Sequence, residues 1–279
     1  MPRGWQWDPT LFRGSARYYV QGRLPYPAAL APVLAAALQL DGRGRLLDVG
    51  CGPGIIALRL AHLFEQAVGL DPDAEMLAEA RRGAAEQQIG NARWLQALAE
   101  HLPLRPGSVR VATFAASFHW MERDRVAAAV LRLLEPGGAF VQVSAPQDGA
   151  ASTGLLPHPA PPRAQIDALL RRYLGPERRA GQGVLRYGTP GDELAVLRRA
   201  GFPEPQIVTI PGGELIVRSI DDLVAAQLSQ SSSAPHLFGA QAGAFEAELR
   251  RLLDASSPSG LFAQQMGDTE LRIWRTPAR

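Results

Sequence analysis

With one cysteine in 279 residues, no lysine, and no apolar run long enough to span a bilayer, several classes of protein are out of reach. A lone Cys51 cannot close an internal disulfide, which rules out a disulfide framework. The most apolar long segment, residues 28–40, is interrupted by Pro32 and falls short of the roughly 20 residues a transmembrane helix needs. No charged n-region followed by an apolar core opens the chain, so the expectation is a cytoplasmic protein without a membrane partner. All 29 basic side chains are arginine, and against 27 acidic ones they leave a net charge of only +2. Arginine pairs at 81–82, 171–172, 178–179, 198–199 and 250–251 are scattered one at a time, mostly beside acidic residues. That is the pattern of solvated helix faces, and it argues against a nucleic-acid track.

What is present is an ordinary globular composition, 46% hydrophobic, enough to bury one large core. Its organising stretch is Leu46-Leu47-Asp48-Val49-Gly50-Cys51-Gly52-Pro53-Gly54. A short apolar run reads as a buried strand, three alternate glycines as a tight turn, and residues 55–64 as a buried helix. Such a turn lets backbone approach a ligand closely and aims free helix N–H groups at it, which suits a nucleotide-like cofactor. The dinucleotide fingerprint GxGxxG would need its third glycine where Ile55 stands, and Pro53 removes an N–H that an anion cradle could use. A nicotinamide-dependent oxidoreductase is therefore disfavoured. Residues 67–71 read as the next strand, ending in Asp71, about 20 residues after the turn, where a ribose-binding acid belongs. Asp73 and Glu75 are better placed to begin the following helix, which leaves Asp71 for a ligand.

From residue 45 to about 146 the pattern alternates strand and helix, which implies right-handed crossovers and a parallel sheet. The expected strands are 45–49, 67–71, 92–96, 109–114 and 138–145, with helices near 55–64, 74–88 and 122–134. Beyond them, helices are expected at 163–174, 190–200, 220–229 and 242–254. Residues 206–210 and 215–218 read as a hairpin or broken strand around Pro211-Gly212-Gly213, and 270–275 as the final strand.

Asp48-x-Gly50-x-Gly52-x-Gly54 resembles motif I of the class I S-adenosylmethionine-dependent methyltransferases. Asp71 with Met76-Leu77, then Glu100-His101-Leu102-Pro103-Leu104, then Leu134-Glu135-Pro136-Gly137-Gly138 follow in that family's order. The aromatic N-terminus, with Arg23 before Tyr26-Pro27, and Phe118-His119-Trp120 after the fourth strand are similar to the trans-aconitate methyltransferase-like small-molecule group. The resemblance covers about a hundred residues. It implies an α/β, Rossmann-like, seven-stranded and mostly parallel sheet with helices on both faces, a terminal antiparallel strand and a C-terminal lid insertion. The expected layout is one domain, with a cap at 1–41, a cofactor core at 42–146, and the lid and last strands at 147–279.

The resemblance also implies S-adenosylmethionine as cofactor, S-adenosylhomocysteine as product, and methyl transfer to an O, N or C nucleophile of a small molecule. On it, Gly50, Gly52 and Gly54 shape the methionine pocket with Cys51 in the turn, Asp48 fixes the turn or the methionine amine, and Asp71 followed by Pro72 takes the ribose. The family's adenine acid falls on Leu98, so Met76, Leu98 and the Ala99 backbone are the adenine contacts, with Glu100 as a substitute acid. Ala115, Tyr18 and Arg23 complete the cofactor set. His119 is the candidate base, because the carboxyl ends of parallel strands form the ligand crevice. Tyr19, Trp120 and Tyr187 are candidate substrate contacts, with His158, Gln227, His236 and Phe238 as further pocket candidates; no metal ligands are expected. The absence of an Asn/Asp-Pro-Pro-Tyr/Phe stretch disfavours nucleic-acid amino methylation. An arginine-only, alanine-rich chain suits a high-GC bacterial genome and secondary metabolism. The main alternative is a protein of the same fold that binds the cofactor without transferring methyl.

Overall fold

The computed structural model describes residues 7–149, 156–177, 179–180, 183–184 and 192–277. Two helices, α1 (Ala16–Gly22) and α2 (Leu30–Leu38), precede an alternating core. That core runs β1 (Arg45–Val49), α3 (Ile55–Leu60), β2 (Gln66–Asp71), α4 (Ala74–Glu86), β3 (Ala92–Gln96), β4 (Val109–Ala115), α5 (Arg123–Leu133) and β5 (Leu134–Val143). Then come α6 (Arg163–Leu174), a two-residue ladder of β6 (Arg179–Ala180) and β7 (Gly183–Val184), α7 (Glu193–Ala200), β8 (Gln206–Ile210) and β9 (Leu215–Ser219). The chain ends with α8 (Ile220–Leu228), α9 (Ala242–Ser256), β10 (Leu261–Gln265) and β11 (Thr269–Arg275).

The seven-stranded sheet has the order β3-β2-β1-β4-β5-β11-β8. The first five strands are parallel, and β11 runs antiparallel to both β5 and β8. The strand order reverses beside β1, between β1 and β4, and at such a switch point the strand ends leave a crevice for ligands. Apolar residues of α2 and α3, such as Leu30, Leu34, Ile56 and Leu60, cover one face of the sheet. On the other face, Val126 and Val130 of α5 and Val196 and Leu197 of α7 pack with Phe114, Phe140, Phe202 and Trp274. A third core joins Ile166 and Leu169 of α6 to α8, α9, Phe238 and Phe262, with Tyr18 of α1 against it.

Two sequence expectations need correction. Residues 206–210 and 215–218 do not pair as a hairpin: β8 is the sheet's edge strand against β11, whereas β9 pairs with β10 in a separate ladder. Strand β10 was not anticipated, because Gln264 and Gln265 break its apolar pattern while Phe262 and Ala263 bury. The first helix after the glycine turn is also shorter than expected, passing into a 3-10 turn at Ala61–Leu63. Beyond these, β5 begins at Leu134, four residues early, with a register shift where Pro136-Gly137-Gly138 bulges beside β4.

Phe140 is fully buried at the centre of four aromatic rings, 4.3 Å from Phe114, 5.4 Å from Phe118 and Phe202, and 5.6 Å from Trp274. Truncation there removes a large apolar group and leaves a cavity that its rigid neighbours cannot fill. Phe140→Ala is expected to cost about 3–5 kcal/mol in urea denaturation. A loss below about 1 kcal/mol, the scale of a surface change, would mean that the cluster does not hold the sheet to α5 and α7.

Candidate cofactor and acceptor site

The turn after β1 is fastened to its surroundings from three directions. Gly50 and Cys51 donate their backbone N–H groups to the Leu70 carbonyl at 2.8 and 3.0 Å, and Gly52 N–H donates to Asp71 Oδ2 at 2.8 Å. Gly54 is the N-cap of α3 in the left-handed region (φ 79°), and an added Cβ there would lie 2.5 Å from the Trp94 ring. A glycine cap offers no side chain to the first helix N–H groups. Asp48 supplies the missing acceptor from the preceding strand. Its Oδ2 accepts from Ala57 N–H at 3.1 Å and its Oδ1 from the Thr113 hydroxyl at 2.8 Å. Burial pushes the Asp48 carboxyl up to about 7.

At the end of β2, Asp71 Oδ1 accepts from Asp73 N–H at 2.9 Å, and burial pushes its carboxyl up to about 6. Each oxygen thus meets one backbone donor, and a carboxylate has about four acceptor positions. The helix that follows is capped by Asp73, which accepts from Glu75 and Met76 N–H, as expected.

A cleft opens over this turn at the carboxyl ends of β1, β2 and β4. It brings together Gly50, Gly52, Asp71, Pro72, Met76, Leu98, Ala99 and Ala115 with Tyr19 and Trp120. Trp7, Phe12, Leu70, Ala116, Ser117 and Met121 line it too. Phe12 meets Tyr19 and Trp120 edge-on, with centroids 6.3 and 6.1 Å apart, so three aromatics form one wall. Ala116 holds a positive φ of 51°, a strained conformation for a non-glycine residue that no sequence pattern announces. Glu100 also borders the cleft, with Oε1 accepting from Glu122 N–H at 2.8 Å, so this buried carboxylate is fixed by the start of α5.

Other expected site residues lie elsewhere. Asp48 sits beneath the turn, engaged with α3 and β4. The Cys51 side chain is buried against β2, and burial raises its thiol well above its ordinary value. Gly54 faces Trp94 and Ala80, behind the cleft. Tyr18 packs into the third core, because α1 turns Tyr19 toward the cleft. Arg23 lines a different cavity, described below. His119 is not among the residues lining the cleft: the 3-10 turn at Phe118–Trp120 buries Phe118 against Phe114 and Phe140, which aims Trp120 at the cleft and places His119 on an adjoining groove that shares Ala116 and Ser117 with it. That groove is shared with Gln142, Glu193, Glu270 and Arg272. Tyr187 lies outside the described residues, as does the middle of the Pro/Gly-rich 147–162 segment. Among the lid candidates Gln227 lines the second cavity, Phe238 is buried on Phe245, and His158 and His236 meet Ser259 and the Arg13 carbonyl.

The sheet order and the cleft at its switch point are those of the Rossmann-like class I methyltransferase fold. Residues 46–138, about a third of the chain, match the family described as methyltransferase domain. An uncharacterized methyltransferase of Mycobacterium tuberculosis is 36% identical over 133 residues, covering 47% of this chain and 51% of the relative. Another from Bacillus subtilis is 27% identical over 176 residues, covering 59% and 70%. Among the curated relatives it matches, the chain spans about half the length of the mycobacterial ones. The solved structure of the (4+2)-cyclase SpnF is similar in fold, with TM-score 0.52 and 22% identity over 92% of this chain and 84% of the cyclase.

The cleft suits S-adenosylmethionine on its own chemistry. A Cβ added at Gly52 would meet nothing within 4 Å, so the turn leaves open space beside Asp71. Asp71 has acceptor capacity for ribose hydroxyls, Pro72, Met76, Leu98 and Ala99 offer an apolar slot for a base, and the aromatic wall offers π faces to a cation.

Asp48 makes a testable link between this site and stability. Because burial raises its folded-state pKa above the unfolded value, the folded chain keeps a proton between about pH 4 and pH 7 that the unfolded chain has lost. Its contribution to stability therefore falls as pH rises through that window. Asparagine cannot ionise and can still accept from Ala57 N–H. Asp48→Asn is expected to be more stable than wild type at pH 8, with the advantage shrinking at pH 4, in urea titrations at both. A pH-independent loss would mean that Asp48 does not take up its proton in that window and that asparagine cannot replace its hydrogen bonds.

Proposed function

We propose that the protein is a methyltransferase that transfers the methyl of S-adenosylmethionine to an O, N or C nucleophile of a small molecule. The observation that carries this is the cleft in which Asp71, with spare acceptor capacity, stands beside an apolar slot and an aromatic wall at the sheet's switch point. When bound, S-adenosylmethionine supplies an electrophilic methyl carried on a sulfonium. Asp71 orients the ribose, Pro72, Met76, Leu98 and Ala99 hold the adenine, and Phe12, Tyr19 and Trp120 exclude water and face the positive charge. Transfer would break the sulfonium's S–CH3 bond and leave its electron pair on sulfur, as the acceptor atom takes the methyl and gives up its proton to solvent.

His119 does not line this cleft, so rate enhancement rests chiefly on proximity and orientation. The same placement is what favours the second reading, a protein of this fold that binds the cofactor without transferring methyl. Mass analysis of the acceptor separates the two readings, since only transfer adds a methyl. A small-molecule acceptor is supported by the charge pattern, with exposed arginines such as Arg82, Arg198, Arg199 and Arg250 paired to carboxylates instead of forming a basic track.

Calorimetric titration with S-adenosylmethionine, S-adenosylhomocysteine and NAD tests the cofactor assignment without the acceptor. Binding of the first two alone is expected, and binding of NAD alone would overturn it. Asp71→Ala should weaken the first two by about tenfold or more, as expected for loss of charge-assisted hydrogen bonds. In the wild type, affinity should fall as pH drops below about 6, where Asp71 takes up its proton. Unchanged affinity in the variant would remove Asp71 from the ribose.

A further inference from the structure

A cavity of about 790 Å³ lies between the end of α1, the loop after β5, α6, α8 and β10, distinct from the cofactor cleft. Its wall is polar and specifically built. Gln264, 7% exposed, donates its Nε2 to Asp148 Oδ1 at 2.7 Å. A carboxylate only accepts, so this bond fixes the amide's orientation and leaves Oε1 as the acceptor; that buried oxygen has no hydrogen-bond partner among the described residues. Asp148 is itself held by an ion pair to Arg163, a bridge between its backbone and Met266, and Gly149 N–H donating to the Gln265 carbonyl at 2.7 Å. Gln264 is therefore a positioned acceptor, and burying one without a donor costs free energy unless a ligand supplies it.

Opposite chemistry comes from two arginines. Arg218, 6% exposed, donates to the carbonyls of Gln21, Gly22 and Asp222, and the Asp222 carboxylate stands near enough to act on its charge. Arg23 donates Nη2 to the Ser229 carbonyl at 2.8 Å, while its buried Nε has no partner among the described residues. Neither arginine bonds a carboxylate among the described residues. Gly22 places both by letting α1 meet α8 closely; a Cβ there would lie 2.3 Å from the Ala225 carbonyl oxygen.

The two compartments meet at a stacked pair. Arg23 lies 4.7 Å over the ring of Tyr19, with Arg23 lining the large cavity and Tyr19 lining the cofactor cleft one helical turn earlier. We propose that this cavity is the acceptor site, and that it takes a small molecule carrying an oxyanion group for Arg23 and a hydrogen-bond donor, hydroxyl or amide N–H, for Gln264. The inference rests on the methyltransferase reading for the meaning of "acceptor", but its ligand chemistry is tested separately. Gln264 and Arg23 read two different groups on one molecule, and the Tyr19–Arg23 stack is the door between that molecule and the cofactor cleft.

The probes are a panel of N-acetyl amino acids with apolar side chains, their methyl esters, and matching acids without the amide. Binding is measured by ligand-observed NMR on the full chain saturated with S-adenosylhomocysteine. The N-acetyl acids should bind about tenfold better than the esters, as a charge-assisted bond implies, and better than the acids lacking the amide. Arg23→Met should abolish the preference over esters. Gln264→Met should abolish the preference over amide-free acids while S-adenosylhomocysteine affinity stays unchanged, which also reports that the variant is folded. Equal binding of acids and esters, no binding of the N-acetyl acids, or preferences that survive both substitutions would overturn the proposal. Failure of the wild type to bind either cofactor form would instead strike the methyltransferase reading.

Discussion

The whole site depends on one buried carboxylate. Asp48 leaves β1 pointing into the core and accepts from a first-turn N–H of α3 and from the Thr113 hydroxyl on β4. Those two bonds join three elements at the point where the strand order reverses. With a glycine as N-cap, α3 has no side chain of its own to satisfy its first N–H groups, so the acceptor must come from the strand before it. The cost is an acid held in a place that disfavours its charge, visible in its raised pKa. The return is a turn whose open side stays free for a ligand.

Asp71 completes the same logic one strand away. It fastens the turn through Gly52 N–H and its own helix entry through Asp73 N–H, yet keeps acceptor positions to spare. The glycine turn, the acid and the α4 cap are thus one hydrogen-bonded unit. Placing the acid so that it both holds the turn and lines the cleft ties the shape of the cofactor site to the stability of the fold.

Around that unit the chain adds a cap with its own apolar core, assembled from α1, α6, α8, α9 and β10. Its inner surface does the opposite of the core's: among the described residues Gln264 and Arg23 retain buried polar atoms without partners, and Arg218 donates to carbonyls while the Asp222 carboxylate stands near enough to act on its charge. Interiors normally satisfy such groups. The cavity they line meets the neighbouring cleft at the Tyr19–Arg23 stack.

Local signals carried the cofactor half of the site. The alternating glycines, the acid about 20 residues on and the Asp73 cap are short-range features, because turn geometry and capping are decided within a few residues of chain. They were enough to place Gly50, Gly52 and Asp71 around one cleft, with Pro72, Met76, Leu98, Ala99 and Ala115 added by family resemblance. Tertiary packing decided the rest. Burying Phe118 among Phe114 and Phe140 set the rotation of a three-residue turn, which gave the cleft Trp120 and sent His119 to another groove. Packing of α1 on α8 chose Tyr19 over Tyr18 and carried Arg23 out of the cofactor set into the cap cavity. Pairing of β9 with β10 across more than forty residues brought Gln264 to Asp148. A helix phase or a strand partner of that kind depends on which distant apolar surfaces meet, and no window of sequence contains both sides of the contact.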